Sequence, residues 1–300
     1  MMDSSKTVGI ILFSAASIFH GIGLYLLSHV KLSPTFGSNQ RLYFINISIC
    51  DILGCVLSIA STVVGEYAPV WSSKLNVLYI ISICGMFIWY IGLMTLLTAD
   101  RFLSVYLNIR YRTVCTSRRT KLVLLSLFFV SLVSTVICVI AGNHDRIERV
   151  ILLYVWPFLD AVFLSVALLT YIHFFRKIRS NQRKESLTTS SFKREKKEQL
   201  ISEKSKKIKK KRFSIKRGAS LKRGFFTPTL LVANFIVFWL IPDQIFFWLS
   251  ILGKNKSEFA LASAHILLNF YPFGILMDAI IYIFFQREIV SMLKKKLALG

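Results

Sequence analysis

The chain has 300 residues, of which 54% are apolar and only 18% are charged, yet its formal net charge is +23. Soluble domains are less apolar and more highly charged, so this composition argues against a soluble enzyme, a disordered tail or a secreted disulfide scaffold. High hydropathy and high charge are compatible when they occupy different segments. The composition therefore predicts a helical protein that crosses a membrane several times.

Seven apolar stretches are each near or above the length that a helix needs to cross about 30 Å of hydrocarbon. They cover 7–30, 41–64, 75–99, 122–141, 150–176, 225–252 and 259–285. Outer-membrane β-strands would be shorter and would alternate in polarity. The first stretch is long enough to span and lacks a convincing signal-peptide cleavage site, so we expect it to be retained. We predict a single all-α domain over 1–300, folded as a seven-transmembrane helix bundle.

Basic residues are distributed unevenly between the two sets of loops. The loops after the odd-numbered stretches, counted with the bordering Arg41 and Arg176 and with the C-terminal tail, contain 32 of the 38 lysines and arginines. Because basic residues gather on the cytoplasmic side of membrane proteins, we expect the N-terminus outside and the C-terminus inside. The charge then belongs to one membrane face, and no nucleic-acid partner is expected although the chain is strongly basic.

The segment 177–224 is predicted to be a flexible basic third intracellular loop, because it is too hydrophilic to bury a core. Its basic run at 204–212 favours contact with anionic lipid at the inner face. Ser214 and Ser220, which follow basic residues, are candidate phosphorylation sites that would weaken this contact. Residues 286–300 are expected to form a short amphipathic helix, helix 8, and a tail.

None of the five cysteines falls in a predicted outer loop, and no pair has metal-ligand spacing. We therefore expect no disulfide, no cysteine metal site and no cofactor. Asn255 begins a glycosylation triplet in the last outer loop, very near the bilayer.

The third apolar stretch is followed directly by Asp100-Arg101-Phe102, and Ile109 lies in the next loop. These residues resemble the rhodopsin-like (class A) family of G-protein-coupled receptors, in which helix three ends in Asp-Arg-Tyr and a bulky residue of the second inner loop packs into the G protein. Further resemblances to family motifs lie in the second, sixth and seventh stretches, at Asn46 to Asp51, Phe235 to Pro242 and Asp278 to Tyr282. Together the motifs extend over nearly the whole chain.

Several positions depart from the family pattern. Gly23 stands where the first helix usually has asparagine, and Phe128 where the fourth has tryptophan. Asn76 replaces the cysteine at the outer end of helix three, and one extra residue precedes Pro242 in the sixth stretch. The chain therefore resembles a divergent member of the family.

The resemblance implies that Arg101 is a switch, held at rest by Asp100 and by groups of the sixth helix. Its planar fork of donors could then pass to the backbone carbonyls of an inserted G-protein helix. Ile109, Tyr171 and Tyr282 would line the same inner crevice. The alternative is an ordinary arginine that extends to the lipid headgroups.

Asp51 and Asp278 are ionisable groups within apolar stretches, where charge is costly and usually functional. The resemblance implies that they face each other, in which case they would share a proton or hold Na⁺. Gly23, Tyr90 and Gly274 occupy the usual polar positions of the sodium site, so we favour the shared proton over Na⁺ at Asp51. The alternative is two separate aspartates, each hydrogen-bonded to nearby hydroxyls.

A ligand pocket is predicted where polar and aromatic residues share helix faces at spacings of three or four. Its predicted members are Ile83, Phe87, Trp156, Asp160, Trp239, Asp243, Phe246, His265 and Leu268. Carboxylates and aromatic faces both attract cations, so a small cationic ligand is one hypothesis, and an internal polar network without ligand contact is the other. Receptors for biogenic amines have an aspartate at the position of Ile83, which argues against that class.

These features predict a non-enzymatic, multi-pass receptor of the plasma membrane that converts extracellular binding of a small ligand into activation of a heterotrimeric G protein. Its further partners would be membrane lipids. A retinal photoreceptor is disfavoured because 259–285 contains no lysine for a Schiff base. A small membrane transporter is the remaining alternative, although no inverted repeat supports it.

Overall fold

A computed structural model describes residues 4–29, 38–67, 69–107, 110–140, 155–195, 226–242, 244–245, 271–286, 289–291 and 293–294. Almost all of these residues are helical. The helices are α1 (Ser4–His29), α2 (Ser38–Tyr67), α3 (Pro69–Leu107), α4 (Tyr111–Val114), α5 (Ser117–Ile140), α6 (Trp156–Glu195), α7 (Phe226–Leu240) and α8 (Tyr271–Phe285).

Within the described residues, five helices are long and apolar enough to cross a membrane. They are α1, α2 and α3, then α5 and α6, which correspond to the first five apolar stretches of the sequence. The described parts of the sixth and seventh stretches form the shorter apolar helices α7 and α8. The chain is thus a helical protein with the character of a membrane protein, while the seven spans and their orientation stay predictions.

Two helices extend well beyond the predicted boundaries. α3 continues to Leu107, and α6 continues to Glu195. The sequence assigned 177–224 to a flexible loop, but residues 177–195 are helical. No glycine or proline interrupts them, and they contain many lysine, arginine, glutamine and glutamate residues, which are good helix formers even where the segment is polar.

The core is centred on α3, which packs against α2, α5 and α6. Tyr90, Leu93, Met94 and Leu97 recur at the three- and four-residue spacing of one helix face, and all four are buried. Apolar side chains on the outer face of α5 are exposed instead, among them Leu122, Leu125, Phe129 and Val133. An apolar outer surface around a buried core is what a bilayer environment requires.

A close helix crossing joins α3 to α5. The hydroxyl of Ser131 donates a hydrogen bond of 2.5 Å to the carbonyl oxygen of Gly85. A Cβ atom at Gly85 would lie 2.0 Å from Oγ1 of Thr135, and one at Gly92 would lie 2.5 Å from a methyl carbon of Leu127. Small residues that allow backbones to approach closely are typical of helix contacts in membranes.

Both helices near the C-terminus contain a π-helical segment. It covers Ile236–Leu240 in α7, where residues 241–242 continue as α-helix, and Ile281–Phe285 at the end of α8. Gln286 then adopts an extended backbone, with φ −81° and ψ 105°, and its carbonyl oxygen accepts a 3.0 Å bond from the amide of Val290. Residues 289–291 and 293–294, within the predicted helix 8, are helical.

We predict that Gly85→Val destabilises the protein by about 1–3 kcal/mol, because the added side chain would force α3 away from α5. The measurement is the apparent melting temperature of the detergent-solubilised protein. Gly54→Val on α2 is the matched control, since a Cβ at Gly54 would meet nothing within 4 Å. Equal melting temperatures for the two variants would show that the crossing is not tightly packed.

Candidate functional site

The C-terminal end of α3 and the N-terminal ends of α2 and α5 meet at what we call the Arg101 end of the bundle. There Arg101 forms an ion pair with Asp100, and its side chain is only 12% exposed while that of Asp100 is 3% exposed. Arg101 also donates a 3.2 Å hydrogen bond from Nη1 to Oε1 of Gln40 on α2. Among the described residues, its partner beyond Asp100 is therefore on α2. The expected contact with the helix of the sixth apolar stretch stays a prediction, because that stretch is described from Phe226 on.

The second carboxylate oxygen of Asp100 is also occupied. The hydroxyl of Tyr111 on α4 donates a 2.5 Å hydrogen bond to it. Burial raises the pKa of Tyr111, and the negative charge of Asp100 raises that pKa further. The phenol therefore stays protonated and keeps donating to the carboxylate at neutral pH.

Asn39 connects this phenol to α5. Its Nδ2 donates to the hydroxyl of Tyr111 at 3.3 Å and to the carbonyl oxygen of Cys115 at 2.8 Å, while its Oδ1 accepts from Ser117 at 3.3 Å. We call the set of Asn39, Gln40, Asp100, Arg101, Tyr111 and Ser117 the Asp100 network. It joins α2, α3, α4 and α5 by bonds that sequence inspection did not anticipate.

The other predicted residues of this end lie at neighbouring helix contacts. Phe102 packs edge-on against His173 of α6, with ring centroids 5.3 Å apart. Tyr171 of α6 is hydrogen-bonded to Thr229 of α7. Tyr282 is buried on α8 against Phe44 of α2, at a centroid distance of 5.1 Å. Ile109, Ser214 and Ser220 lie outside the described residues.

A second polar cluster lies deeper in the bundle, around Asp278 of α8. Both oxygens of this fully buried carboxyl are occupied. One accepts a hydrogen bond from the hydroxyl of Tyr90 on α3, and the other accepts a 2.8 Å bond from Nδ2 of Asn234 on α7. The same amide donates at 2.8 Å to the carbonyl oxygen of Gly274. Asp278 thus links α3, α7 and α8.

Asp51 of α2 belongs to the same cluster through His20 of α1, whose Nε2 also lies 2.9 Å from the carbonyl oxygen of Ile275 on α8. Its Oδ2 lies 3.4 Å from Nε2 of His20 on α1, and both side chains are almost completely buried. Sequence inspection paired the two aspartates but missed His20 and Asn234. Both residues could have been found in the sequence, because each is a polar side chain inside an apolar stretch and must find a partner within the protein.

Trp239 is stacked between two tyrosines. Its ring lies 4.9 Å from that of Tyr90 and 4.6 Å from that of Tyr271, and Phe87 is 6.2 Å away. We call the stacked rings of Tyr90, Trp239 and Tyr271 the aromatic column. Because the hydroxyl of Tyr90 is bonded to Asp278, this column connects Trp239 to the buried cluster that contains Asp278 and Asp51.

Asp160 of α6 is buried, and its Oδ2 accepts a 3.3 Å hydrogen bond from Nε2 of Gln244. Its Oδ1 is buried without a hydrogen-bond partner among the described residues. A buried carboxylate oxygen that lacks a hydrogen-bond partner is stabilised when a hydrogen-bond donor or a cation binds beside it.

The predicted pocket is described only in part. Phe87, Asp160 and Trp239 have the positions given above. Ile83 and Trp156 lie on α3 and α6, where their backbones are helical but their side chains are not described. Asp243, Phe246, His265 and Leu268 lie outside the described residues. The convergence of these faces on one pocket stays a prediction.

No protein-family model matches the chain, and no curated protein matches it.

We predict that Tyr111→Phe lowers the free energy of unfolding by about 1–3 kcal/mol, because one oxygen of the buried Asp100 carboxylate loses its donor. The apparent melting temperature of the solubilised protein measures this loss. Tyr106→Phe is the matched control, since Tyr106 is exposed and stacks on Phe102 through its ring, which phenylalanine retains. Identical effects of the two substitutions would contradict the role of the Tyr111 hydroxyl.

Proposed function

We propose that this protein is a divergent class A G-protein-coupled receptor, located in the plasma membrane with its N-terminus outside. It would convert binding of a small extracellular ligand into activation of a heterotrimeric G protein. The observation that carries the proposal is the largely buried Asp100–Arg101 ion pair near the C-terminal end of α3. An arginine that merely anchored the helix to lipid headgroups would extend its guanidinium outwards, whereas this one is largely enclosed and paired.

Burying an ion pair costs free energy, and removing one partner costs more because the other charge is then left unpaired. The pair would therefore separate only when another partner replaces the one that is lost, as a switch requires. Arg101 has an Nε that is buried without a partner among the described residues, while its Nη1 donates to Gln40 and its Nη2 donates to Asp100. If α6 and α7 moved outwards, the guanidinium could exchange these bonds for backbone carbonyls of a G-protein helix. The contact of Phe102 on α3 with His173 on α6 is one that such a movement would change.

The aromatic column supports coupling to a ligand. A ligand that displaced Trp239 would disturb the stacked ring of Tyr90, and through its hydroxyl the acceptor bonds of Asp278. The π-helical turn at Ile236–Leu240 includes Trp239 and accommodates more residues than an α-turn. This is consistent with the extra residue before Pro242 in an otherwise family-like motif. The ligand matters only through its different affinity for the two states.

A small proton-coupled transporter is the second candidate. The buried cluster of His20, Asp51 and Asp278 favours it, because intramembrane chains of acids and histidines serve as proton relays. The Asp100 network distinguishes the two proposals, since a transporter offers no reason to enclose an ion pair at the rim of the bundle.

We expect Arg101→Ala to reduce nucleotide exchange on G-protein α-subunits by about tenfold or more, because the donor fork that would bind the inserted helix is lost. Cells expressing an N-terminally tagged chain are tested against a panel of α-subunits and of cationic and neutral small molecules. Staining of intact cells through the tag reports both surface level and orientation.

Arg119→Ala is the matched control for this experiment. Arg119 lies at the same end of the bundle and is exposed, and it bonds the carbonyl oxygen of Val114, outside the Asp100 network. Equal exchange activity of wild type and Arg101→Ala at equal surface levels would refute the switch role. A tag that antibodies reach only after permeabilisation would refute the proposed orientation.

We expect Asp160→Asn to weaken a cationic agonist by more than about tenfold while leaving neutral agonists unaffected, because the substitution removes the charge and preserves the shape. Dose–response curves for exchange activity give the potencies. Asparagine can still accept the bond from Gln244, so the fold is retained. An unchanged potency of the cationic agonist would favour the alternative of an internal polar network.

A further inference from the structure

His20 of α1 lies between two oxygen atoms that belong to other helices. Its Nε2 is 2.9 Å from the carbonyl oxygen of Ile275 on α8 and 3.4 Å from Oδ2 of Asp51 on α2. The imidazole is completely buried. The ring of Tyr282 meets it edge-on, with centroids 5.9 Å apart.

The protonation of Nε2 follows from the chemistry of its neighbours. A backbone carbonyl oxygen only accepts hydrogen bonds, so a nitrogen 2.9 Å from it carries a hydrogen. The positive end of the N–H dipole is thus directed at a region where the carbonyl of Ile275 and the carboxyl of Asp51 converge. Convergent carboxyl and carbonyl oxygens are also the ligands that hard cations prefer.

The remaining oxygens of the cluster indicate where a cation would bind if the imidazole were absent. Asp278 has both oxygens occupied by Tyr90 and Asn234. In contrast, Oδ2 of Asp51 and Oγ of Ser48 are buried without hydrogen-bond partners among the described residues. Ser48 precedes Asp51 by three residues and therefore shares its helix face. The structure thus places two of these oxygens beside His20, Oδ2 of Asp51 and the carbonyl oxygen of Ile275. Ser48 adds an unpaired hydroxyl on the same face of α2.

We propose that the His20 imidazole occupies a latent monovalent-cation site formed by Asp51, Ser48 and the carbonyl of Ile275, and thereby closes this site to Na⁺. Wild-type protein is then insensitive to Na⁺, and shortening His20 opens the site. This property goes beyond the proposed receptor function and does not depend on coupling to a G protein.

The experiment uses the full chain in detergent and compares its apparent melting temperature in equal concentrations of NaCl and choline chloride. Wild type is expected to melt at the same temperature in both salts. His20→Ala is expected to melt about 2–4 °C higher in NaCl, because an ion that binds only the folded state stabilises it. Any general loss of stability from removing the imidazole cancels, since each variant is compared with itself.

Two further variants test the proposed oxygen ligands. His20→Ala combined with Asp51→Asn is expected to lose the response to Na⁺, because the charged ligand is gone. His29→Ala is the matched control on the same helix, since His29 is exposed and bonds to Ser28 and the carbonyl oxygen of Tyr25. It is expected to remain insensitive to Na⁺.

The proposal is overturned if His20→Ala melts at the same temperature in both salts, or if wild type is stabilised by Na⁺ and Asp51→Asn abolishes that effect. If His20→Ala does not fold, His20→Ser replaces it.

Line broadening of ²³Na in solutions of wild type and Asp51→Asn provides a measurement that needs no change at His20. Broadening by wild type alone contradicts the proposal, and equal spectra support it. None of these outcomes bears on G-protein coupling.

Discussion

Polar groups buried in an apolar bundle must find their partners within the protein, and this requirement determines how the helices are arranged around α3. Tyr90 in the middle of α3 donates to Asp278, while Asp100 at its end accepts from Arg101 and Tyr111. Every helix that supplies a partner is thereby oriented towards α3. Apolar packing alone would not do this, because side chains facing lipid and those facing other helices are similar in hydrophobicity.

The two polar clusters are mechanically connected. Tyr90 and Asp100 are ten residues apart on one continuous helix, or about 15 Å along its axis. Between them Leu93, Met94 and Leu97 are fully buried, so the intervening segment is packed along the face that carries both polar groups. In the receptor that we propose, a disturbance at Trp239 would reach the Asp100 network as a rotation or shift of this helix. Rigid-body movement of packed helices is an established form of switching.

The sequence indicated which charged residues are important but not which side chains contact them. Arg101, Asp51 and Asp278 were all recognised as important, yet Gln40, Tyr111 and His20 were not foreseen beside them. These pairs are brought together by the rotation of each helix about its own axis and by its depth in the bundle. Local spacing along one helix contains no information about either. The helical extension of α6 to Glu195 was missed for a different reason, because polarity was taken to mean a loop.

The amino-acid sequence by itself determined that this is a helical protein with membrane-spanning character, because runs of apolar side chains long enough to cross a bilayer leave helices as the favourable backbone structure. It also identified the acids and the arginine that an apolar environment makes costly. Only the tertiary structure decided which groups compensate those charges. That choice depends on side chains far apart in the chain, such as His20 and Ile275, whose contact exists only after α1 has packed against α8.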